Sequence, residues 1–286
     1  MNKLLVVGSL HYDIMVDAHH RPEKGETVIG TGCSYKFGGK GGNQAISAAQ
    51  AGVAVAFAGA VGDDDNGKWL LSVLQKHGVD THSIEVIADT PSGMSIAITD
   101  AEGDYGAVVI SNANTHIDAA RFNDQALWSG VKMLLLQNEL PEAANIAAAS
   151  EAHKRGIKVC INAAPAKTLS TALLACIDLL VVNGVEARDM SGISVTSLQS
   201  AAQAAKALSQ EFAVVVVTAG EHGVAFCETH QHSGALAAEK VELVSTHGAG
   251  DCFMGILCAS MINGDALETA VSKANKAAAR HVSRQP

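Results

Sequence analysis

The sequence predicts an α/β protein of three layers, in which helices cover both faces of a mainly parallel, doubly wound sheet. Two observations predict this fold class. Short runs of β-branched and other apolar residues alternate with Ala-rich amphipathic segments along the chain. The apolar runs are continuous rather than broken by polar residues, as expected of strands that are buried on both faces.

Taken in chain order, each predicted strand is a short apolar run and most are followed by an amphipathic segment, which is the order of βαβ units. The strands are predicted at residues 4–7, 54–58, 132–136, 158–161, 179–182 and 213–218. The helices are predicted at residues 43–51, 68–76, 142–154, 196–208, 250–262 and 266–282.

Two regions depart from this alternation and are rich in predicted strand. Residues 10–37 contain extended segments at 12–16 and 26–29 around a turn at 21–25, and residues 93–111 predict a hairpin of strands 94–99 and 105–110. Both are interpreted as inserts within one domain that spans residues 1–286. They could form a small β-sheet that acts as a lid over a site, or they could be surface hairpins without function.

The composition excludes several classes of protein. Lys and Arg number 20 against 29 Asp and Glu, so the net charge of −9 argues against non-specific binding of nucleic acid or anionic membrane. No apolar run is long enough for a membrane helix, and the first residues predict a buried strand rather than a signal peptide. The six cysteines form no CxxC pair and are predicted to be reduced, so a cytoplasmic location is predicted.

The strongest local motif is STHGAGD at residues 245–251, directly before a predicted helix. The free N–H groups of a helix N-terminus form an anion site. Asp251 could stabilise the first turn of that helix by its charge, or it could lie beside a bound phosphate and take a proton from an attacking hydroxyl. The spacing alone leaves both interpretations open.

The second motif is GGKGGNQA at residues 38–45, at a predicted strand-to-helix junction. It is not a P-loop, because Lys40 is followed by glycine rather than Ser or Thr. The first strand is followed by GSLHYD at residues 8–13 instead of a GxGxxG motif, which disfavours an NAD-dependent oxidoreductase. A glycine-rich segment can be a plain turn, but four glycines around one Lys have a high entropic cost unless a ligand binds there.

With these two motifs in this order and about 200 residues apart, the chain resembles the ribokinase-like (PfkB) sugar kinase family over nearly its full length. Within that family it is most similar to the ribokinase branch. The resemblance implies the ribokinase-like fold and an ATP-dependent kinase that uses Mg²⁺. It implies transfer of the γ-phosphate to a primary hydroxyl. The substrate that the resemblance favours is D-ribose, and the product is then D-ribose 5-phosphate. A homodimer formed through the lid is also implied.

The resemblance assigns roles to individual residues. Asp251 matches the general base. With the ordinary pKa of an Asp, its side chain would be ionised at neutral pH. The amides of Gly248, Ala249 and Gly250 match an anion hole. The positions that match the sugar-binding set are His11, Asp13, Gly39, Lys40, Asn43 and Glu139. The positions that match the nucleotide-binding set are Asn183, Glu186, Thr218, Gly220, Gly223 and Asn275, with Glu186 acting on Mg²⁺ indirectly.

Three departures from the family pattern leave specific questions open. Ser245 stands where the family carries an Asp that helps to bind K⁺, so dependence on that cation is open. His11 stands where ribokinases carry a sugar-contacting Asn, so the exact sugar is open. The sequence ends at Pro286 where family members continue with more of the cation loop and a final helix; either that loop is absent or the sequence stops short of it.

The alternatives to a ribose kinase fall into two classes. One is a kinase for another pentose, a ketohexose or a nucleoside, which would keep the same mechanism. The other is a sensor that binds sugar or nucleotide without catalysis. Asp251 and the glycines beside it argue against the sensor, whereas Ser245 and the short carboxyl end argue for it.

Overall fold

A computed structural model describes residues 2–102, 105–228 and 232–283 of the chain. In this part of the chain a nine-stranded sheet forms, with its strands in the order β13 (His232–Leu236), β12 (Val224–Glu228), β11 (Val214–Thr218), β10 (Leu179–Asn183), β9 (Lys158–Asn162), β8 (Val131–Gln137), β1 (Lys3–Val7), β4 (Ala54–Gly62) and β5 (Asp80–Ile87). Its strands from β5 to β11 pair in parallel, and only β12 and β13 run antiparallel to their neighbours. The predicted mainly parallel, doubly wound sheet is confirmed.

The elements follow the predicted alternation with few exceptions. The strands are β1 (Lys3–Val7), β2 (His11–Asp17), β3 (Gly32–Gly38), β4 (Ala54–Gly62), β5 (Asp80–Ile87), β6 (Met94–Thr99), β7 (Tyr105–Ile110), β8 (Val131–Gln137), β9 (Lys158–Asn162), β10 (Leu179–Asn183), β11 (Val214–Thr218), β12 (Val224–Glu228) and β13 (His232–Leu236). The helices are α1 (Lys40–Gln50), α2 (Asp65–Lys76), α3 (Glu142–Lys154), α4 (Thr171–Leu174), α5 (Gly184–Ser191), α6 (Leu198–Leu208), α7 (Ala249–Ile262) and α8 (Leu267–Val282).

The sheet separates two apolar cores, and β1 shows how one strand serves both. Leu4 and Val6 are buried on the side covered by α1, α2, α7 and α8, whereas Leu5 and Val7 are buried on the side covered by α3 to α6. Successive side chains of a strand point to opposite faces, so a strand between two helical layers is apolar at every position. The continuous apolar runs of the sequence therefore have a direct structural cause.

The two strand-rich regions together form a second sheet of four strands, in the order β3-β2-β6-β7, which we call the small sheet. Strand β2 pairs antiparallel with β3 and parallel with β6, and β6 pairs antiparallel with β7. The hairpin predicted at 94–99 and 105–110 is present with those bounds, while residues 103 and 104 of its connection lie outside the described residues.

The strand segment predicted at residues 26–29 is wrong. The structure has no regular element there, and the partner of β2 is β3, six residues later at Gly32–Gly38. Glu26 instead closes a local turn, because its carboxylate accepts a hydrogen bond from the amide of Glu23 at 2.9 Å and contacts His20 Nε2 at 2.9 Å. These contacts fold the segment into a turn, so it does not pair with β2 as a strand.

Two helices begin three residues earlier than predicted. Helix α1 begins at Lys40 rather than 43, although Gly41 and Gly42 are poor helix formers. Helix α2 begins at Asp65, because the Asp64 side chain caps it by accepting a hydrogen bond from the amide of Gly67 at 2.7 Å. Strands β5, β12 and β13 and helices α4 and α5 are additions to the predicted set.

Candidate active site

The candidate site lies where the winding of the large sheet reverses. Strands β1 and β8 are neighbours in the sheet, and from them the chain proceeds in opposite directions, to β4 and β5 on one side and to β9, β10 and β11 on the other. In open α/β sheets, ligands bind beyond the carboxyl ends of the strands at such a switch point. Side chains that follow β1, β8, β9, β10 and β11 therefore lie along one edge of the sheet.

The glycine-rich motif brings α1 into contact with the loop after β1. A Cβ atom at Gly39, whose φ is +88°, would lie 2.6 Å from the carbonyl oxygen of Ser9, and one at Gly41 would lie 2.7 Å from Gly8 Cα. No L side chain fits either position without backbone movement. The glycines thus let the first turn of α1 approach β1 at backbone distance.

Glu139, which follows β8, joins this contact. Its Oε2 accepts a hydrogen bond from the amide of Lys40 at 2.9 Å and another from the hydroxyl of Ser9. One carboxylate oxygen therefore ties together the loop after β1, the start of α1 and the loop after β8. The structure thus brings Gly39, Lys40 and Glu139, three positions of the predicted sugar-binding set, close together.

Asp251 lies in the first turn of α7, three residues after Gly248. Gly248 has a φ of +74° and is the last residue before the helix. The Asp251 side chain is buried against α1: its Oδ1 accepts a hydrogen bond from Gln44 Nε2 at 2.9 Å, and its Oδ2 lies 3.4 Å from Asn43 Nδ2. The two motifs that sequence analysis singled out separately are therefore in contact.

Burial raises the pKa of Asp251 above its ordinary value, which differs from the unperturbed pKa that the sequence predicted. The charge of Lys40 and the hydrogen bond from Gln44 oppose the rise, and the charge of Glu139 adds to it. The carboxyl is thus poised at a higher pKa than an exposed Asp, which suits a group that must accept a proton.

His11 and Asp13 stand on β2 of the small sheet, next to the same site. Asp13 is buried, its Oδ1 accepts a hydrogen bond from Ser95 Oγ at 2.6 Å, and burial raises its pKa, while the nearby His11 and His247 lower it. Glu139 is close enough to raise the pKa of both Asp13 and Asp251. His11 is only 3% exposed, and its Nε2 has no hydrogen-bond partner among the described residues.

Asn183 and Glu186 form a capping box at the start of α5. The Asn183 side chain accepts hydrogen bonds from the amides of Val185 at 2.9 Å and Glu186 at 3.1 Å. In return, the two carboxylate oxygens of Glu186 accept hydrogen bonds from the backbone amide of Asn183 at 2.8 Å and its side-chain amide at 3.0 Å. Burial raises the pKa of Glu186, and the charge of Lys40 opposes that rise, which links this helix start electrostatically to the glycine-rich motif.

The predicted nucleotide-loop residues gather beyond β11. Gly220 and Gly223 have φ values of +56° and +111°, and a Cβ at Gly223 would lie 2.0 Å from the carbonyl oxygen of Leu236. Asn275 of α8 donates a hydrogen bond to the carbonyl of Ala237 at 2.9 Å, so it borders the same segment. Thr218, at the end of β11, donates to the carbonyl of Val182 at 3.4 Å.

A cavity of about 660 Å³ opens beside Asp251. Its described lining includes Asn43 and Gly248 and the basic side chains of Lys36, Lys276 and Arg280, but not Thr218 or Asn275. Of the predicted site residues, Asn43, Gly248 and Asp251 therefore line this cavity, whereas the nucleotide-loop residues lie outside its lining, at the ends of β10 and β11 and on α8.

Sequence analysis gave no role to three buried or half-buried amides that the structure places at the centre of the site. These are Gln44, Gln137 and Asn162; Gln44 contacts Asp251, and the other two contact Gln44. The available signal was a polar residue at the end of an otherwise apolar strand, in Gln137 and Asn162, and a second amide directly after Asn43.

Within the described residues, no helix combines the length and the apolar character needed to cross a bilayer. In the same part of the chain, no three His, Cys, Asp or Glu side chains are grouped in a way that would hold a metal ion.

The chain is similar to known proteins along its whole length. A model of the pfkB family carbohydrate kinases matches residues 1–285. Ribokinase of Haemophilus influenzae is 31% identical over 284 residues, which cover 99% of this chain and 92% of that protein. Ribokinase of Bacillus subtilis is 33% identical over 283 residues, which cover 99% of this chain and 93% of that protein.

Solved structures show the same similarity. Arabidopsis thaliana ribokinase complexed with ribose and ATP has a TM-score of 0.91 at 26% identity, with 100% of this chain and 94% of that chain covered. Ribokinase of Cryptococcus neoformans in complex with ADP has a TM-score of 0.87 at 27% identity, with 100% and 95% covered.

Proposed function

Because the chain belongs to the pfkB family of carbohydrate kinases, we propose that it transfers the γ-phosphate of ATP to the 5-hydroxyl of D-ribose. The observation that carries this proposal is the contact between Asp251, at the start of α7, and Asn43 and Gln44 of the glycine-rich helix. A buried carboxylate is thereby held between a helix N-terminus that suits phosphate and a polar cleft that suits a polyol. The similarity to ribokinases, one of them complexed with ribose and ATP, supports ribose as the sugar.

In this mechanism, Asp251 accepts the proton of the 5-hydroxyl as the sugar oxygen bonds to the γ-phosphorus. The bond from that phosphorus to the β–γ bridging oxygen breaks, and ADP leaves. The amides of Gly248, Ala249 and Gly250 stabilise the charge that develops on the transferred group. The Ala249 amide donates to the carbonyl of Thr246 at 3.3 Å, a long bond that a phosphoryl oxygen would replace.

The sugar-binding group is Asp13, Gly39, Lys40, Asn43 and Glu139, with His11 beside it. Carboxylates suit a neutral polyol because each oxygen accepts hydrogen bonds from adjacent hydroxyls. Oε2 of Glu139 accepts hydrogen bonds from both Lys40 and Ser9, so Oε1 of Glu139 remains for the sugar. We assign the nucleotide to the edge of the sheet formed by Asn183, Thr218, Gly220, Gly223 and Asn275.

Mg²⁺ fits this site through the nucleotide rather than through a protein cage. Mg²⁺ keeps several waters and usually binds one or two carboxylates together with substrate phosphates. Glu186 matches that role, because it is buried near Lys40 with both carboxylate oxygens oriented by Asn183. When bound, the ion would neutralise phosphate charge. Glu186 would hold one of its waters.

The direct test of the function is ADP release from magnesium-ATP with a panel of sugars and nucleosides. We expect turnover with D-ribose to exceed that with other pentoses, ketohexoses and nucleosides. Turnover of a different member of the panel would retain the mechanism and refute ribose as the substrate. Binding of ATP and sugar without ADP release would instead favour the sensor.

His11 provides a test of the sugar-binding group. Its buried Nε2 lacks a partner, and a buried polar group without a hydrogen bond is unfavourable, so we expect the sugar to supply that partner. His11→Phe removes the ring nitrogens and keeps a planar ring. We expect the KM for ribose to rise by roughly tenfold, while the KM for magnesium-ATP stays the same. An unchanged KM for ribose would remove His11 from the sugar-binding group.

Ser245 provides a test of cation dependence. Its amide donates to the carbonyl of Val282 at 3.1 Å, and its hydroxyl accepts from the amide of His247 at 3.2 Å, so the side chain lies at the junction of the α7 loop and the end of α8. A hydroxyl is a weaker ligand for a hard cation than a carboxylate. Ser245→Asp should increase the stimulation of turnover by K⁺, whereas the control Thr246→Asp should not. The same K⁺ response in all three proteins would refute this assignment.

We also propose that the small sheet acts as a lid and joins two chains in a homodimer. Tyr35 of β3 and Val108 of β7 are exposed, and the strand register places them in one row across the small sheet and so on one face. A partner chain would cover this pair of large apolar side chains. Light scattering should give twice the mass of one chain. Val108→Glu should reduce that mass, and Val86→Glu, at another exposed valine on β5 of the large sheet, should not. A monomer in the unmodified protein would contradict the dimer. We also propose a cytoplasmic location, which the proposed use of ATP supports.

A further inference from the structure

Gln44 is a fully buried amide whose every polar atom contacts another side chain of the site. Its Nε2 donates to Asp251 Oδ1 at 2.9 Å and lies 3.1 Å from Asn162 Oδ1. Its Oε1 accepts a hydrogen bond from Gln137 Nε2 at 2.9 Å. The side chain thus connects the carboxylate on α7 with the carboxyl ends of β8 and β9.

The direction of the Gln44 amide is fixed by these neighbours. If its oxygen and nitrogen were exchanged, its oxygen would face the oxygens of both Asp251 and Asn162, and its NH₂ group would face the NH₂ group of Gln137. The observed direction gives each of these atoms a partner of the opposite kind. The Asp251 carboxylate, which accepts hydrogen bonds when ionised, therefore fixes the direction of the Gln44 amide, and Gln137 donates to the oxygen that this direction leaves.

The two oxygens of Asp251 are consequently unlike. Oδ1 accepts a hydrogen bond of ordinary length from a buried donor, whereas the one contact of Oδ2 among the described residues is the long 3.4 Å contact with Asn43. Asn43 is half-buried and belongs to the proposed sugar-binding group, so Oδ2 is the oxygen of Asp251 that lies next to that group.

We propose that Gln44 is a positioning residue for Asp251: it holds Oδ1 and so makes Oδ2 the atom that accepts the proton of the sugar hydroxyl. This inference rests on the proposed role of Asp251 as the base. Gln44 is fully buried behind Asp251, so we expect it to act on turnover through the orientation of the carboxylate and the stability of its ionised form, not by contact with sugar or nucleotide.

The hydrogen bond from Gln44 favours the ionised carboxylate, so its loss should raise the pKa of Asp251 further. The charged groups that face Asp251 are Lys40 of α1 and Glu139 after β8, and both remain in every variant below. A base with a higher pKa is ionised only at higher pH, so the acid limb of the rate profile should move to higher pH.

The test is Gln44→Met, which keeps the length of the side chain and removes its hydrogen bonds. We expect kcat to fall roughly ten- to a hundredfold and the KM values for sugar and magnesium-ATP to stay within about threefold. The acid limb should move to higher pH. The control is Asn145→Leu, which removes a buried amide that contacts the backbone of Gln137 but neither Gln44 nor Asp251. A parental kcat and acid limb in Gln44→Met, or the same losses in Asn145→Leu, would overturn the proposal.

Gln44→Glu is a second test, which can be used if Gln44→Met does not fold. Gln44→Glu keeps the shape and the acceptor for Gln137, but it sets a carboxyl against Asp251, so the two groups compete for one proton. The acid limb should again move to higher pH, and a parental limb would contradict the proposal. Failure of the parent function is distinguishable: full activity of Asp251→Asn would refute the base itself, whereas an inactive Asp251→Asn with a normal Gln44→Met would refute only the positioning role.

Discussion

Asp251→Asn should lower kcat by about a thousandfold while leaving the affinity for ATP nearly unchanged, because removal of a positioned general base has effects of that size. The amide is isosteric with the carboxylate and can still accept the hydrogen bond from Gln44, so the site keeps its shape. Turnover and nucleotide binding, measured on the same preparation, test this. Full turnover in the variant would show that another group takes the proton.

The same variant should be more stable than the parent at neutral pH. Burial raises the pKa of Asp251, so the folded state disfavours the ionised form. The protonated Asp251 side chain therefore costs the folded state less than the ionised one, and the free energy of unfolding falls as the pH rises through the raised pKa. The Asn variant avoids that loss and should melt at a higher temperature near neutral pH, and the difference should shrink at acidic pH. A less stable variant would indicate that the carboxylate supports the fold.

Gly39→Ala should disrupt both folding and the sugar-binding group. Its positive φ is unfavourable for alanine, and the added Cβ would lie 2.6 Å from the carbonyl oxygen of Ser9. The backbone can relieve this contact only if the start of α1 moves away from β1, which would separate the Lys40 amide from Glu139. We expect stability to fall by about 2 to 4 kcal/mol from strain and overpacking together. The kcat/KM for sugar should fall by about a hundredfold, as for a misplacement of about 1 Å.

Gly52→Ala is the matched control for this substitution. Gly52 has the same φ of +88°, but a Cβ there meets no atom within 4 Å. The control should therefore lose stability through its backbone alone and keep its activity towards sugar. Equal effects of the two substitutions on kcat/KM would show that the close approach of α1 to β1 does not position the site.

Much of the fold could be predicted because the large sheet is covered on both faces. A strand such as β1, with Leu4 to Val7 all buried, leaves a continuous apolar signature that depends on no distant contact. The start of α1 could not be predicted in the same way. Gly41 and Gly42 are unfavourable in an isolated helix, and only their close packing against Gly8, Leu10 and Phe37 makes them suitable there.

The individual site motifs could also be found in the sequence, but their contacts could not. Asp251 and Gln44 are 207 positions apart, and Gln44 and Gln137 are 93 apart, so no local pattern connects these residues. The raised pKa of Asp251 depends on the same packing. A Cβ at Gly255 would lie 2.5 Å from Ser47 Cβ, so the glycine lets α7 approach α1 closely enough to bury the carboxylate.

Transfer of a phosphoryl group from ATP to the primary hydroxyl of ribose can be observed by ³¹P NMR of the reaction products. With D-ribose and magnesium-ATP, we expect equal amounts of ADP and a phosphomonoester whose phosphorus couples to the two protons of C5. We expect no such product with 5-deoxyribose, which lacks the accepting hydroxyl. ADP formed with inorganic phosphate alone, or a phosphomonoester at another carbon of ribose, would show that the chain does not carry out this transfer.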